Sequence, residues 1–250
     1  MKTRFFIIIE YDGKNYCGWQ RQKNGMTVQE MLEDKLSVLF GSKITVFGSS
    51  RTDAGVSAFC QTAHFDAETD IPPKKIPFAV NSLLPNDISV RSCRAVPVSF
   101  HARFCDKKKT YTYKLYVSDI RRPLLDRERF FVKRALNVQA MTEAASYMTG
   151  TYDCKCFQKS GSVSGGTVRT VYSVTVCALA DGCLDIGITG SGFLYKMART
   201  MAGTLLSVGL GALSPSDVAC AVKNCDKTKT GKTLPPEFLY INDTEYTEPI

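Results

Sequence analysis

The most unusual segment of the sequence is a run of small residues that contains one arginine and one aspartate. It reads Gly-Ser-Ser-Arg-Thr-Asp-Ala-Gly-Val over 48–56 and lies between two predicted strands. Small neighbours let a ligand approach the backbone closely, and they leave the Asp53 carboxylate without bulky cover. A carboxylate can act as a nucleophile, and the nearby Arg51 favours its ionised form. The alternative is a structural turn with a surface Arg–Asp pair, which contributes little to stability.

Two further segments place polar side chains where they could meet a ligand. Residues 11–22 hold the only tryptophan, two glycines and several amide or cationic side chains, among them Arg21. From Phe193 onward, apolar residues recur four apart, while Arg199 and Gly203 share a different face of the predicted helix. That face is either a solvated cation beside a packed core stripe or a cation aimed into a cleft.

Most of the net charge is concentrated in one segment. The chain has 32 Lys and Arg against 24 Asp and Glu, a net charge of +8. Residues 103–134 contain eleven basic and four acidic side chains, so they carry +7 of that charge. Tyr111, Tyr113 and Tyr116 lie inside this segment, where bases could stack while the cations hold phosphates. The segment is therefore either a nucleic-acid contact or a solvated surface.

The ten cysteines and the apolar runs indicate a protein without metal, disulfides or membrane spans. No Cys-x-x-Cys pair occurs, and only two histidines could complete a zinc site. Cys154 and Cys156, one residue apart, are a weak redox candidate. No apolar run approaches the roughly 18 residues of a membrane span. The apolar start of the chain stops at Glu10 without a cleavage site, so we expect a buried strand and a cytoplasmic location.

The apolar pattern predicts strands and helices that are interleaved along the chain. Five helices are predicted, with Thr27 and Ser216 as N-caps of the first and last, at 28–39, 74–84, 138–148, 193–208 and 217–224. Eight strands are predicted at 4–11, 44–47, 61–65, 88–95, 110–117, 167–179, 184–189 and 239–242. This order favours an α+β fold of mainly antiparallel sheet backed by helices. We expect two related lobes, 1–104 and 105–250, that share a central sheet and enclose an active-site cleft.

Five motifs of this chain occur together, in the same order, in one protein family. They are Tyr-Asp-Gly-x-x-Tyr-x-Gly-Trp-Gln-x-Gln at 11–22, Ser-Arg-Thr-Asp-Ala-Gly-Val at 50–56, Phe-His-Ala-Arg-Phe at 100–104, Lys-x-Tyr-x-Tyr at 109–113 and Phe-Leu-x-x-Met-x-Arg-x-x-x-Gly at 193–203. Over nearly its whole length the chain resembles the tRNA pseudouridine synthase A family. It departs from the family's usual Gly and His at Ser50 and Ser57, and from Asp-Phe-x-x-Phe at 153–157.

The resemblance implies a reaction and a role for particular residues. Asp53 is then the catalytic aspartate, Arg51 and Arg199 are the cations around it, and Tyr111 contacts the target uracil. The implied reaction converts uridine to pseudouridine in the anticodon stem-loop of tRNA, at positions 38, 39 and 40, in a homodimer. Substrate and product are isomers, so no cofactor is needed, in agreement with the lack of a dinucleotide or Walker motif. Four further cations are assigned to substrate binding: Arg21, Lys107, Lys108 and Lys109.

Two other functions fit parts of the pattern. A catalytically altered paralogue that only binds RNA, or that acts on a different RNA, would keep the basic segment. The presence of Asp53, Arg51, Tyr111 and Arg199 argues against an idle protein. A nucleoside hydrolase would more typically show a second carboxylate paired with Asp53, and none stands near it in the sequence.

Overall fold

The computed structural model describes residues 2–159 and 166–247. It divides into two compact units, one of Met1–Lys107 with Tyr240–Ile250 and one of Lys108–Leu239. Each unit combines a largely antiparallel sheet with helices, which confirms the predicted α+β class. The lobe limits expected from the sequence, the shared central sheet and the cleft stay predictions.

The described residues contain ten strands and five α-helices. The strands are β1 (Thr3–Tyr11), β2 (Phe47–Gly48), β3 (Ser57–Ala67), β4 (Ile88–Val96), β5 (Lys107–Val117), β6 (Phe130–Val132), β7 (Gly150–Asp153), β8 (Val168–Ala178), β9 (Cys183–Gly190) and β10 (Leu239–Tyr246). The helices are α1 (Val28–Phe40), α2 (Ile76–Asn81), α3 (Val138–Tyr147), α4 (Met197–Gly209) and α5 (Pro215–Asn224). No helix in these residues is long and apolar enough to cross a membrane.

In the first unit, β1 is flanked by strands on both sides. It pairs with β3 and with β4, both antiparallel. β3 also takes β10 as a parallel neighbour and β2 as a short antiparallel one. Phe5, Phe6 and Ile7 are buried in succession, so both faces of β1 are covered, as its continuous apolar run predicts.

In the second unit, four antiparallel strands support a group of three helices. β5 pairs with β9, β9 with β8 and β8 with β7, while β6 runs parallel to β5. Helix α3 contacts α4, α5 and β8. Twelve of the thirteen residues of α4 are buried. α4 is therefore a core helix enclosed on all sides, which explains its high content of small and apolar residues.

The start of α4 was predicted incorrectly. The helix begins at Met197, four residues after the predicted start at Phe193. Lys196, which precedes it, has a left-handed backbone with φ 61°, so a regular helix cannot pass through this position. Residues 193–196 therefore form a loop, and the four-residue spacing of Phe193 and Met197 does not reflect one continuous helix.

The caps of the other helices show one confirmed and one wrong prediction. Thr27 caps α1 as expected, because its hydroxyl accepts a hydrogen bond from the backbone of the third helical residue. The cap of α5 is Ser214 and not Ser216, with Pro215 as the first helical residue. Ser214 and Asp217 exchange side-chain and backbone hydrogen bonds in a capping box.

Other predicted limits were wrong where elements are short. The strand predicted at 44–47 reduces to β2, and the helix predicted at 74–84 reduces to a 3-10 turn, Pro73–Lys75, followed by the six-residue α2. Strands β6 and β7 were missed, because three or four residues do not show a period.

All ten cysteines lie in described residues and are free thiols. Cys154 and Cys156 are buried in a 3-10 turn, and burial raises the pKa of these thiols to about 11 and about 12. Both are therefore protonated at neutral pH, which makes them poor nucleophiles and unsuited to the redox role considered above. The described residues contain no group of three or more His, Cys, Asp and Glu side chains that could hold a metal ion.

His64, in β3, is buried among rings in the first unit. Its side chain is stacked on Phe47 at 5.0 Å between ring centroids, and His101 approaches it edge-on at 4.5 Å. Its Nδ1 accepts a hydrogen bond from the Ala102 backbone N–H at 3.2 Å. Burial, followed by the charges of His101 and Arg4, lowers the pKa of His64 to about 4. The imidazole is therefore neutral at pH 7, with its proton on Nε2.

This histidine predicts a dependence of folding stability on pH. The pKa of His64 in the folded protein lies below its unfolded value of about 6.5. Its contribution to the free energy of unfolding is therefore complete above pH 6.5 and is lost as the pH falls towards 4. Between pH 7.5 and pH 4.5, we expect wild type to lose about 2–3 kcal/mol more unfolding free energy than His64→Gln. Urea unfolding at the two pH values measures this difference. Parallel losses in both proteins would contradict it.

Candidate active site

The loop of Arg51 and Asp53 connects β2 to β3 in the first unit. Arg51 is exposed and Asp53 is partly buried, so the carboxylate is within reach of a ligand. The loop backbone is anchored at one end by the Ser49 N–H, which donates to the Thr62 carbonyl at 2.8 Å. Around the aspartate, the Val56 N–H donates to the Asp53 carbonyl at 3.2 Å. These bonds hold Asp53 at the start of a tight turn.

Two glycines of the 11–22 segment lie directly against this loop. A β-carbon at Gly18 would collide with the Thr52 carbonyl oxygen, and the φ of Gly18 is +84°. A β-carbon at Gly13 would collide with the Val56 carbonyl oxygen. Glycine is thus required at both places because backbone packs on backbone. The first and second motifs found in the sequence are therefore two halves of one compact structure.

The residue before Asp53 is held by two aromatic residues. The Tyr11 hydroxyl and the Thr52 hydroxyl are hydrogen-bonded at 2.9 Å, and the backbone N–H of Trp19 donates to the Thr52 carbonyl at 3.3 Å. The Trp19 indole is buried and lies so close to Gly48 that a β-carbon there would collide with it. Thr52 is consequently fixed through both its side chain and its backbone. Tyr11 and Thr52 are therefore candidate positioning residues for the Asp53 loop, and the sequence motifs alone did not single them out.

The two serines that depart from the family pattern are integrated into this network. Ser57 Oγ accepts from the Gly13 N–H at 3.0 Å and donates to the Asp12 carboxylate at 3.3 Å. Ser50 Oγ donates to the Gln61 side-chain oxygen at 3.2 Å, and the Gln61 amide donates back to the Ser50 carbonyl at 2.9 Å. Both serines therefore support the loop on either side of Asp53.

Arg21 belongs to an ionic cluster on helix α1. Its guanidinium lies 3.2 Å from Glu30, 3.1 Å from Glu33 and 3.7 Å from Asp34. Its backbone N–H donates to the Gln29 side-chain oxygen at 2.8 Å. These contacts attach the 11–22 segment to α1 and give Arg21 a structural role. Substrate binding by Arg21 stays a prediction.

Tyr111 lies on β5 in the second unit, and its side chain is only 6% exposed. Its ring meets the ring of Phe193 edge-on at 4.7 Å between centroids. The motif at 109–113 and the motif at 193–203 are thus in contact through two rings that are 82 positions apart in the sequence. Burial of this degree fits a core tyrosine, and it also fits a ring that presents one edge or face to a ligand.

Arg199 lies in the first turn of α4 and is 7% exposed. Its Nε donates to the Leu234 carbonyl at 2.7 Å. Burial raises the pKa of the neighbouring Tyr113, and the positive charge of Arg199 partly opposes that rise. The side chain is therefore a buried, oriented cation, and the solvated-cation alternative is wrong.

The three consecutive lysines at the start of β5 occupy different environments. Lys107 donates to two backbone carbonyls of the preceding turn, and burial lowers its pKa. Lys109 is buried. Lys108 is exposed, and its ammonium lies 5.1 Å from the centroid of the Tyr172 ring, which is itself 46% exposed. Of the three, Lys108 is the side chain that a phosphate can reach most directly.

The chain is similar to a family of known enzymes over most of its length. The family model described as tRNA pseudouridine synthase matches residues 7–105 and 144–247. Proteins named tRNA pseudouridine synthase A from Ruminiclostridium cellulolyticum and Caldicellulosiruptor saccharolyticus are each 42% identical over 240 residues, which is 96% of this chain and 98% of each relative. The protein of that name from Thermoanaerobacter sp. (strain X514) is 43% identical over 235 residues, 94% of this chain and 96% of the relative.

The contact of Gly18 with the Asp53 loop predicts a specific loss of stability. Gly18→Ala places a methyl group against the Thr52 carbonyl and also strains a positive φ, so we expect it to cost about 2–4 kcal/mol. Gly41→Ala is the matched control, because φ there is also positive (+61°) and no atom lies within 4 Å of the added carbon. The control should cost only about 1–2 kcal/mol. Urea denaturation measures the free energy of unfolding of both variants. Equal losses in the two would contradict the collision at Gly18.

Proposed function

The chain belongs to the tRNA pseudouridine synthase family and is an isomerase, and we propose that it converts uridine to pseudouridine in the anticodon stem-loop of tRNA, at positions 38, 39 and 40. Asp53 is the nucleophile of this proposal. The observation that supports it most is the rigid support of the Asp53 loop by Gly13, Gly18 and Tyr11. A surface turn with an idle Arg–Asp pair would not need backbone packed against backbone on either side of the aspartate.

The proposed reaction breaks one bond at the ribose C1′ and forms another. The Asp53 carboxylate attacks C1′ and forms an ester, while the bond from C1′ to N1 breaks and the electron pair leaves with uracil. The detached base rotates so that C5 faces C1′. C5 then bonds to C1′ and displaces the carboxylate. C5 loses its proton and N1 gains one, so atoms and electrons balance without a cofactor.

Three other side chains take part in the proposal. The target base must leave its stack before its C1′ can be attacked, and an aromatic ring such as Tyr111 then replaces the lost stacking. The hydroxyl of the same residue can carry the C5 proton away. Arg51 and Arg199 are the two cations that this proposal assigns to the surroundings of the Asp53 carboxylate, since opposite charges attract. Arg199 is suited to a fixed position, since it is buried and bonded to Leu234.

Binding of tRNA is proposed to depend on the basic segment of residues 103–134. Lys108 is the most accessible of the three lysines, and its neighbour Tyr172 offers an exposed ring beside the charge. A cation next to an aromatic face is suited to a phosphate and an adjacent base. Homodimeric assembly and a cytoplasmic location are part of the same proposal.

Asp53→Asn tests the nucleophile. The change is nearly isosteric, so we expect isomerisation to be abolished while affinity for tRNA stays within about threefold, because phosphate contacts come from other residues. Incubation with an unmodified tRNA transcript, followed by mapping of pseudouridine, measures activity. Asp70→Asn is the control and should keep its activity, because it removes an exposed carboxylate of the same unit that lies outside the loop. Turnover by Asp53→Asn near the wild-type rate would exclude Asp53, and an inactive wild type would favour the RNA-binding paralogue.

Tyr111→Phe and Tyr111→Ala separate the two interpretations of that residue. If the hydroxyl moves a proton, Tyr111→Phe should fold and bind tRNA normally and yet be nearly inactive. If the ring stacks on the flipped base, Tyr111→Ala should also weaken binding by about 1–3 kcal/mol. A tyrosine of the core alone would give an active Phe variant and an Ala variant with a lowered Tm. Full activity of Tyr111→Phe would exclude the proton-transfer role.

A further inference from the structure

A cavity of about 290 Å³ lies in the second unit beside the first turn of α4. Four cationic side chains line it, namely Lys159, Lys196, Arg199 and Lys227. Among the residues that the structure describes, the rest of the lining consists of one glutamine, three threonines and one glycine, with no acidic side chain. The described lining residues also include no aromatic or large apolar side chain. This set of side chains suits a compact anion such as a phosphate, and the exposed ring of Tyr195 lies beside it, 5.1 Å from the Lys196 ammonium.

The wall of the cavity formed by residues 227–233 is fixed to α4. The Gly231 N–H donates to the Thr204 hydroxyl at 2.9 Å, and the Thr200 and Thr233 hydroxyls are hydrogen-bonded at 2.8 Å. Gly203 allows the Lys232 carbonyl to lie directly against the helix, because a β-carbon there would collide with it. This close approach explains the glycine on the Arg199 face, and it gives the cavity a defined shape.

The cations of the cavity are held by different parts of the chain. The Lys227 ammonium donates to the Gln158 carbonyl at 2.9 Å. The Lys159 backbone N–H donates to the Tyr195 carbonyl at 3.2 Å, which joins residue 159 to the loop before α4. Lys196 takes the left-handed conformation that ends this loop. Four cationic side chains line one small space, so an anion placed between them is attracted to all four.

We propose that this cavity binds one phosphate of the RNA backbone close to the uridine that is isomerised. The proposal deepens the proposed function and rests on it, since Arg199 lines the cavity and is also assigned to the catalytic aspartate. Lys196 and Lys227 are the phosphate-binding side chains, and the threonine hydroxyls supply further donors. The phosphate fixes the register of the RNA strand and carries no sequence information. Inorganic phosphate shares this chemistry and is distinguished by the experiment.

The test uses the double variant Lys196→Gln with Lys227→Gln, which removes two charges and keeps side-chain length. Lys155→Gln with Lys223→Gln is the matched control, since both of these lysines are exposed in the same unit and outside the cavity lining. Binding of an unmodified tRNA transcript is measured over a salt series. We expect the cavity variant to bind roughly tenfold more weakly. Its log–log salt slope should be reduced by about 0.7 to 0.9, the value for one phosphate. The control should keep a slope nearer to that of wild type.

A second measurement locates the phosphate. Anticodon stem-loop RNAs are made with one uncharged methylphosphonate at each backbone position in turn. At one backbone position, the methylphosphonate should lower the affinity of wild type and of the control about tenfold. It should not lower the affinity of the cavity variant further, because the missing phosphate charge and the missing lysine charges belong to the same contact. If no position separates the variant from the control, the proposal is overturned. It is also overturned if inorganic phosphate raises the Tm of wild type and not of the cavity variant while no methylphosphonate position distinguishes the cavity variant from the control. The cavity would then bind free phosphate and not the RNA backbone.

Activity measured on the same RNAs shows whether a negative result concerns the phosphate site or the proposed reaction. Pseudouridine mapping on the unmodified stem-loop reports the reaction of wild type independently of the binding data. If wild type forms pseudouridine and no methylphosphonate position separates the variants, only the phosphate site is wrong. If wild type forms none, the proposed reaction in the anticodon stem-loop fails, while a position-specific loss of affinity still supports an RNA phosphate in the cavity.

Discussion

The close packing of one backbone segment on another is the constraint on which the first unit's candidate site depends. Gly13 and Gly18 approach carbonyl groups on either side of Asp53, at distances that no other residue allows. The hydrogen bond from Tyr11 to Thr52 and the buried indole of Trp19 maintain this contact. If Asp53 is the nucleophile, as proposed, this support matters for the rate, because small displacements of a catalytic group reduce rates steeply. The loop of residues 48–56 therefore holds Asp53 in a defined position.

In the second unit, the main feature is a buried positive charge. Arg199 is almost fully buried in α4, and its Nε bonds to a carbonyl of the chain segment that follows α5. That segment also forms one wall of the cation-lined cavity, and Gly203 and Thr204 hold it against the helix. The same packing thus orients the arginine and gathers the lysines. Both units use glycine contacts and threonine hydroxyls to position charged groups with little freedom.

The sequence predicted the fold class and most long elements, because these depend on local apolar periodicity. Strand β1 and helix α1 were recognised with nearly their observed limits, and Thr27 was recognised as a cap. Failures occurred where tertiary contacts decide. The four-residue apolar spacing runs from Phe193 into α4, so the sequence does not show that the left-handed Lys196 separates the loop from the helix. Short strands such as β6 owe their existence to a neighbour, so their sequence carries no period.

The sequence by itself determined which residues are candidates for chemistry: one aspartate between small residues, an arginine two positions before it, and tyrosines within a basic segment. Residue type and order are sufficient for this, since they carry the family motifs. Only the tertiary structure decided how those residues are held. It placed Arg21 in an ionic cluster with α1, buried Lys109 while leaving Lys108 exposed, and gathered four cations from distant segments around one cavity. Burial and proximity arise from contacts between residues far apart in the chain, and no local pattern in a single sequence records them.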